Sequence, residues 1–189
     1  AKDAKFNLHD AAGKLVPLQT RVLQLWPDGS IKWVLCDFQA SVEPDKSAEF
    51  VLRPVAAAGG PIPKATINVT ESADAVTVDT GPMQATISRK SFSLFSSVKV
   101  DGQEQLNGKP GGMVVTDLAK NVYTSAGNGS DYTVELVEKG PLRTVVRAMG
   151  QMTATNTNKF GFTCWYHFCA GSANVRVFFT VRVLDGKSI

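Results

Sequence analysis

Residues 18–41, LQTRVLQLWPDGSIKWVLCDFQAS, decide the fold of this chain. Runs of apolar and β-branched side chains lie on both sides of the turn sequence PDGS at residues 27–30. Pro27 presets φ for the second position of a β-turn, Asp28 can accept hydrogen bonds from its own backbone, and Gly29 tolerates positive φ. The sequence therefore predicts two β-strands joined by a tight turn.

Two tryptophans flank this turn, Trp26 just before it and Trp33 shortly after it. Aromatic side chains on a hairpin pack against their cross-strand neighbours. We therefore expect both indoles to pack in the core or within the hairpin, and a platform for a sugar ring is the alternative.

The rest of the chain also consists of predicted strands separated by turns. Short β-branched and aromatic runs alternate with turn sequences such as DAAG at 10–13 and DG at 101–102. This spacing predicts an all-β protein built as a barrel or a sandwich. Residues 54–63 are uncharged and rich in Pro, Gly and Ala, which predicts a linker between a small β unit at 1–53 and a larger one at 64–189.

The composition excludes several function classes. With 189 residues, of which 43% are hydrophobic, the chain can bury a core in one large or two small domains. A net charge of +3 gives no ground for predicting nucleic-acid binding, and no apolar run approaches the length of a membrane span. No phosphate-binding glycine loop and no metal-ligand spacing is present, so we predict no cofactor and no metal.

The three cysteines, Cys36, Cys164 and Cys169, have no CxxC spacing and predict neither a disulfide framework nor a zinc site. Cys164 and Cys169 lie five residues apart on one predicted strand, so we expect them to face opposite sides. All three are expected to be small buried hydrophobic residues.

Three segments near the C-terminus alternate in a way that predicts strands with one apolar side. They are residues 142–152, 160–169 and 175–183, and in the last segment every odd position is apolar. If the three strands are neighbours, their outward sides form one surface. That surface holds six candidate ligand-binding residues: Arg143, Arg147, Trp165, His167, Arg176 and Arg182.

These residue types suit an acidic polysaccharide such as a polyuronate. Guanidinium groups bind carboxylates in bidentate fashion, and an indole offers an apolar face to a sugar ring. The alternative is an ordinary solvated sheet face, on which arginines pair across strands with residues such as Glu135.

A catalytic role needs more than this surface. β-Elimination next to a uronate requires a base for the α-proton and a group that stabilises the enolate charge. His167 is the single catalytic candidate, because it is the only histidine on the proposed surface and Tyr166 is expected to point into the core. We expect that this chain alone is not catalytic. A complete short lyase with His167 as its base is a further hypothesis.

Several short motifs carry a resemblance to a known family. These motifs are Gln19, residues 26–30, 32–33, 37–38, 80–83, 140–143 and 170–172. In them the chain resembles the PcRGLX/YetA-like proteins, which are similar to exo-rhamnogalacturonan lyases. The resemblance implies a small RIFT-type β-barrel followed by an antiparallel β-sandwich, with an α/α toroid as the family's last domain.

The resemblance also implies a function. We expect the non-catalytic β-domains of an extracellular or cell-surface polysaccharide-lyase-like protein, which bind or present an acidic polysaccharide of the rhamnogalacturonan or polyuronate class. Compared with the family, the barrel is expected to lack its first strand, the sandwich to be truncated and the toroid to be carried elsewhere. The alternative is a structural cell-surface or fibre subunit, whose edge strands pair with neighbouring subunits.

Overall fold

The computed structural model describes residues 3–57, 59–109, 111–126, 131–154 and 157–184. Every regular element in these ranges is a β-strand, and every strand pair is antiparallel, which confirms the predicted all-β fold class. The chain divides into two compact units, Ala1–Lys64 and Ala65–Ile189. No helix of the described residues is long and apolar enough to cross a bilayer.

The first unit contains five strands in two small sheets. One sheet has the order β2-β1-β5, and the other is the hairpin β3-β4. The strands are β1 (Lys5–Asp10), β2 (Leu15–Val16), β3 (Gln19–Leu25), β4 (Ile31–Asp37) and β5 (Phe50–Val55).

The strand β5 runs two residues into the segment predicted as a linker. Pro54 lies opposite Phe6 of β1 in an antiparallel register. Because β5 is an edge strand, the missing N–H of Pro54 costs little there. Ala58, within the same predicted segment, lies outside the described residues.

The predicted hairpin is present. The Gly29 amide donates to the Trp26 carbonyl at 2.9 Å, and Gly29 has φ of 80°. The Asp28 carboxylate accepts hydrogen bonds from the Ser30 hydroxyl at 2.7 Å and the Ser30 amide at 2.9 Å. These two bonds stabilise the ionised carboxylate and lower the pKa of Asp28.

The second unit is a sandwich of two antiparallel sheets. The first sheet has the order β10-β9-β8-β7-β6. Its strands are β6 (Asn68–Glu71), β7 (Ala75–Asp79), β8 (Met83–Ser88), β9 (Ser97–Val100) and β10 (Gln103–Glu104).

The second sheet has the order β11-β12-β14-β15-β16, and β13 also pairs with β14. Its strands are β11 (Val114–Thr116), β12 (Val122–Thr124), β13 (Thr133–Glu138), β14 (Arg143–Ala154), β15 (Thr157–Cys169) and β16 (Val175–Val183). The twelve-residue strand β14 can serve two neighbours on one edge, because β13 pairs with its first half and β12 with its end.

Side chains that alternate along the strands fill the space between the two sheets. In β7, Val76 and Val78 are fully buried while their neighbours are partly exposed. Phe162 of β15 lies 4.6 Å from the ring of Phe92 and 5.6 Å from the ring of Phe179, measured between centroids. This aromatic group is the centre of the sandwich core.

Polar contacts join the two sheets at their margins. The Thr80 hydroxyl donates to the Ser172 carbonyl at 2.7 Å, and the Tyr132 hydroxyl donates to the Ser88 carbonyl at 2.7 Å. Burial disfavours the phenolate and raises the pKa of Tyr132. These bonds fix the relative position of the two sheets within the sandwich.

The cysteines match the prediction in part. Cys164 and Cys169 do face opposite sides, and burial raises the pKa of the Cys164 thiol to about 11. Cys169, however, is exposed, so the expectation that all three cysteines are buried is wrong. The reason is its place at the end of β15 on the outward side of the sheet.

Candidate functional site

The strands β14, β15 and β16 are adjacent, as the proposed surface requires. Trp165 of β15 lies opposite Arg147 of β14 and Phe178 of β16. We call the side of this sheet that points away from the sandwich core the outer face. The six residues predicted from the sequence all lie on it: Arg143, Arg147, Trp165, His167, Arg176 and Arg182.

Arg143 lies at one end of the outer face and is largely buried. Its Nη2 donates to Oε2 of Glu138 at 2.7 Å, and the two side chains are only 14% and 7% exposed. Its Nη1 lies 3.3 Å from Nδ1 of His167. Glu138 therefore compensates the charge of Arg143, and Arg143 in turn contacts the imidazole of His167.

Arg147 is ion-paired with Glu135 of the adjacent strand β13. The cross-strand pairing considered as the alternative is therefore present for this arginine. The guanidinium carbon of Arg147 also lies 5.2 Å from the centroid of the Trp165 ring, which is a cation–π contact. Arg147 thus fixes the indole and is itself neutralised.

Arg176 and Arg182 differ from these two. Both side chains are exposed on β16, and neither forms an ion pair within the described part of the chain. Six residues of a strand separate them by about 20 Å. Within the described part of the chain, these are therefore two positive charges without an ion pair, spaced along one strand.

The sequence prediction did not single out two further residues. Phe178 is 51% exposed, and its ring lies edge-on to that of His167 with 5.4 Å between centroids. Its position between Arg176 and Arg182 in the alternation of β16 could have identified it. Glu138 could not be found in this way, because a register shift between Leu136 and Glu138 changes which residue of β13 meets β14.

A depression lies at the Arg143 end of the outer face, and we call it the arginine pocket. Its volume is about 520 Å³, and no described lining residue is Asp or Glu. The lining residues are Arg143, His167, Cys169, Ser172, Asn174, Arg176 and Phe178.

A second depression, of about 210 Å³, lies at the opposite end of the outer face. Arg182 lines it together with Asp131 and Gln151, and the Gln151 amide donates to the Asp131 carboxylate at 2.8 Å. This end of the outer face therefore has one carboxylate beside its one arginine, whereas the described lining of the arginine pocket has two arginines and no carboxylate.

Metal binding finds no support in the described side chains, which include no group of three or more His, Cys, Asp or Glu residues placed to hold an ion.

Comparison with family models gives two matches that together span both units. The PcRGLX-like N-terminal RIFT barrel domain matches residues 1–54, and the PcRGLX-like protein central beta sandwich domain matches residues 67–188. Among curated proteins, no match is found. The resemblance stated from the sequence motifs is thereby confirmed, as is the order of a barrel followed by a sandwich.

Proposed function

Because the chain belongs to the PcRGLX-like proteins, which are rhamnogalacturonan-lyase-like, we propose that it supplies their non-catalytic β-domains and binds an acidic polysaccharide. The ligand is of the rhamnogalacturonan or polyuronate class. One observation carries this proposal: Arg176 and Arg182, which form no ion pair within the described part of the chain, flank the aromatic pair of Trp165 and Phe178 on the outer face.

Each part of this face has a chemical role in the proposal. Arg176 and Arg182 bind carboxylates of successive uronate residues, since a guanidinium matches the geometry of a carboxylate. Trp165 and Phe178 offer apolar rings to the faces of the sugars between them. Arg147 holds Trp165 through the cation–π contact described above, and Glu135 holds Arg147 in place.

The strength of binding follows from the exposure of these groups. A single exposed ion pair contributes only about 0–1 kcal/mol, because water and salt screen it. Binding therefore depends on several contacts along an extended polysaccharide chain. We expect the protein to bind a polymer more tightly than a single sugar. The proposal also implies that binding weakens as salt concentration rises.

The proposal assigns the protein to the cell exterior, where polymers of this class occur. In this proposal the catalytic groups lie outside the two β-domains.

The structural-subunit hypothesis has one observation in its favour. The hairpin β3-β4 exposes a group of large apolar side chains, and it pairs with no other described strand. Val22, Leu23, Leu25, Trp26 and Trp33 are 41–61% exposed. If neighbouring subunits cover these side chains, the sedimentation coefficient should rise with protein concentration. A protein that stays monomeric at every concentration would contradict this hypothesis.

Retention on a native gel that contains polygalacturonate tests the polysaccharide proposal. We expect the wild-type protein to be retarded and Arg176→Ala/Arg182→Ala to migrate as it does without the polymer. Arg143 is unsuitable for this test, because its loss would remove the ion pair that it forms with the buried Glu138.

The matched control is Lys46→Ala/Arg53→Ala, which removes the same charge from exposed positions in the first unit. It should be retarded like the wild type. A gel with neutral dextran should retard none of the three proteins. Equal retention of the Arg176→Ala/Arg182→Ala variant and the wild type would contradict the proposal.

A further inference from the structure

The strand β16 forms one edge of the second sheet of the sandwich. It pairs with β15 on one side and with no described strand on the other. At an edge, every second residue directs its backbone N–H and C=O groups away from the sheet, where they can bond a further strand. In the described part of the chain, no residue of β16 forms a backbone hydrogen bond outside its pairing with β15. The outer edge of β16 is therefore available for strand addition.

Among the described edge strands, β16 alone combines length with regular pairing. Natural edges are usually protected because they are short, contain proline or carry β-bulges. In the sandwich, β6, β10 and β11 have at most four residues each, and β13 has a register shift. In the first unit, β2 has two residues, β5 contains Pro54, and the β3-β4 pair has register shifts. In contrast, β16 has nine residues in uninterrupted register with β15.

The side of β16 that faces the core is apolar and only partly covered. Four of its residues pack against the sandwich core and are partly exposed: Val175, Val177, Phe179 and Val181. The inward residues of the neighbouring strand β15 are at most 2% exposed. The apolar layer thus continues to the edge of the sheet. A further strand with apolar side chains at alternate positions would bury the exposed part of this layer.

The outward side of β16 determines the charge of a strand that fits this edge. Arg176 and Arg182 lie on this side and form no ion pair within the described part of the chain. Opposite charges on facing positions of two strands stabilise the pair, and like charges destabilise it. A strand with acidic residues opposite these two positions is therefore complementary in charge to β16.

The same two arginines disfavour pairing between two copies of β16. Arg176 and Arg182 lie three residues to either side of Phe179, the central residue of the strand. An antiparallel pair that uses all nine residues of both copies therefore places Arg176 of each copy opposite Arg182 of the other. Because like charges then face each other twice, the edge selects a different strand over a second copy.

From these observations we propose that β16 is a docking edge for a strand of a partner protein in which apolar residues alternate with polar ones. Two acidic residues of that strand, six positions apart, lie opposite Arg176 and Arg182. The partner strand adds to the sheet through main-chain hydrogen bonds, and its apolar side chains extend the sandwich core. Its carboxylates bind the two guanidinium groups. This is an interaction with a protein, in addition to the polysaccharide binding proposed above.

Synthetic peptides test the docking edge on the 189-residue chain. The probe is VEVTVTVEV with Gly-Ser spacers at both ends, and its palindromic sequence presents the same pattern in either direction. One control, VKVTVTVKV, reverses the charges. The other, VEVPPTVEV, keeps both carboxylates but has two adjacent prolines, which remove a donor from either side of the peptide strand. In fluorescence anisotropy at low salt, we expect both controls to bind at least about tenfold more weakly than the probe.

Amide hydrogen exchange locates the bound peptide. The probe should slow the exchange of about four further amides within residues 175–183, because every second amide of an edge strand lacks a ladder partner. Residues 68–71, which form the edge strand β6 of the other sheet, should be unaffected. Slow exchange of all amides of β16 without peptide would overturn the proposal, because the edge would already be covered. Protection at other strands and not at β16 would also overturn it.

Reversal of the two charges on the protein tests the predicted chemistry of the partner. Arg176→Glu/Arg182→Glu should bind VKVTVTVKV more tightly than VEVTVTVEV, which is the opposite of the order expected for the wild type. The matched control is Lys46→Glu/Arg53→Glu, at exposed positions in the first unit, and it should keep the wild-type order. Equal binding of the two peptides by the wild type, or an unchanged order in the Arg176→Glu/Arg182→Glu variant, would show that the charge assignment is wrong.

The outcomes also separate the docking edge from polysaccharide binding. Retention on polygalacturonate by a protein that does not bind the probe would remove the docking edge and leave the polysaccharide function. Binding of the probe by a protein that polygalacturonate does not retard would have the opposite meaning. If the protein binds both ligands, the probe should reduce retention on polygalacturonate, because both ligands use the same two arginines.

Discussion

The two units use similar strand sequences but bury them very differently. In the sandwich, β8 alternates between buried and partly exposed residues, and Ala85 and Ile87 are fully buried. In the hairpin of the first unit, β3 is exposed at every residue except Gln19. The difference arises because the sandwich strands have a second sheet across from them, whereas β3 and β4 pair only with each other among the described strands.

The two tryptophans of the hairpin show how little of it is buried in the described structure. We expected both indoles to pack in the core or within the hairpin; Trp26 is 51% and Trp33 is 61% exposed, so neither is a core residue. Trp26 is instead covered in part by Lys32, whose ammonium lies 4.5 Å from the centroid of the indole. The conformation of the hairpin therefore depends on its turn and cross-strand contacts more than on burial.

The largest predicted effect is the loss of an aromatic ring from the sandwich core. Phe162→Ala removes a side chain that is 1% exposed and contacts both Phe92 and Phe179. We expect it to lower the free energy of unfolding of the sandwich by about 3–5 kcal/mol. Urea unfolding, followed by Trp165 fluorescence in a Trp26→Phe/Trp33→Phe background, measures this unit alone because the chain has three tryptophans.

The matched aromatic truncation in the hairpin is Trp33→Ala in the otherwise wild-type protein. Because Trp33 is 61% exposed, its loss should change stability by about 0.5 kcal/mol or less. Chemical denaturation followed by circular dichroism gives this value. A cost of several kcal/mol would show that the hairpin is buried by something outside the described structure, and the contrast between the two units would then be lost.

An effect between these two is expected at the turn of the hairpin. Gly29 has φ of 80°, and a Cβ added there would meet no atom within 4 Å. Gly29→Ala should therefore lower the free energy of unfolding by about 1–2 kcal/mol, because alanine is strained in this backbone conformation and not because of a steric clash. Gly29→Asn should cost less, because asparagine enters the left-handed region more readily. Limited proteolysis between β3 and β4 should follow the order alanine, asparagine, glycine, and equal rates would contradict dependence on the turn.

The comparison also shows which features of the fold can be predicted from sequence. The hairpin turn was predictable because Pro27, Asp28 and Gly29 act within four residues of each other. The end of β5 could not be predicted, because Pro54 belongs to the strand through its pairing with Phe6, which is nearly fifty residues away in the sequence. Exposure of Trp33 likewise depends on a second layer, which local sequence does not specify.

In the candidate site, too, some features could be predicted from the sequence and others could not. Alternation placed Arg176 and Arg182 on the outward side of β16, because a strand has a period of two. The neutralisation of Arg143 could not be predicted, since it requires Glu138 to arrive opposite β14 after a register shift. The side of the sheet to which a side chain points could thus be predicted from the sequence. The ion pairs that compensate its charge across strands could not.

A further effect concerns an acidic side chain in the β9-β10 hairpin of the sandwich, Glu104 of β10, which lies opposite Lys99. The Glu104 carboxylate accepts hydrogen bonds from the Ser97 hydroxyl at 2.5 Å and from the amides of Val98 at 3.0 Å and Leu106 at 3.1 Å. These bonds lower the pKa of Glu104 from 4.5 to about 2. Because the folded-state pKa is the lower one, the ionised carboxylate stabilises the fold above pH 4.5, and this contribution is lost as the pH falls towards 2.

Glu104→Gln should therefore lower the Tm of the sandwich at pH 7, and the difference from the wild type should shrink below about pH 4.5 and vanish near pH 2. Differential scanning calorimetry across this range measures the difference. Glu43→Gln, at an exposed position in the first unit, is the control for loss of one carboxylate and should give a sandwich Tm equal to that of the wild type at every pH. A Tm difference for Glu104→Gln that stays constant down to pH 2 would mean that the amide is destabilising for a reason other than charge.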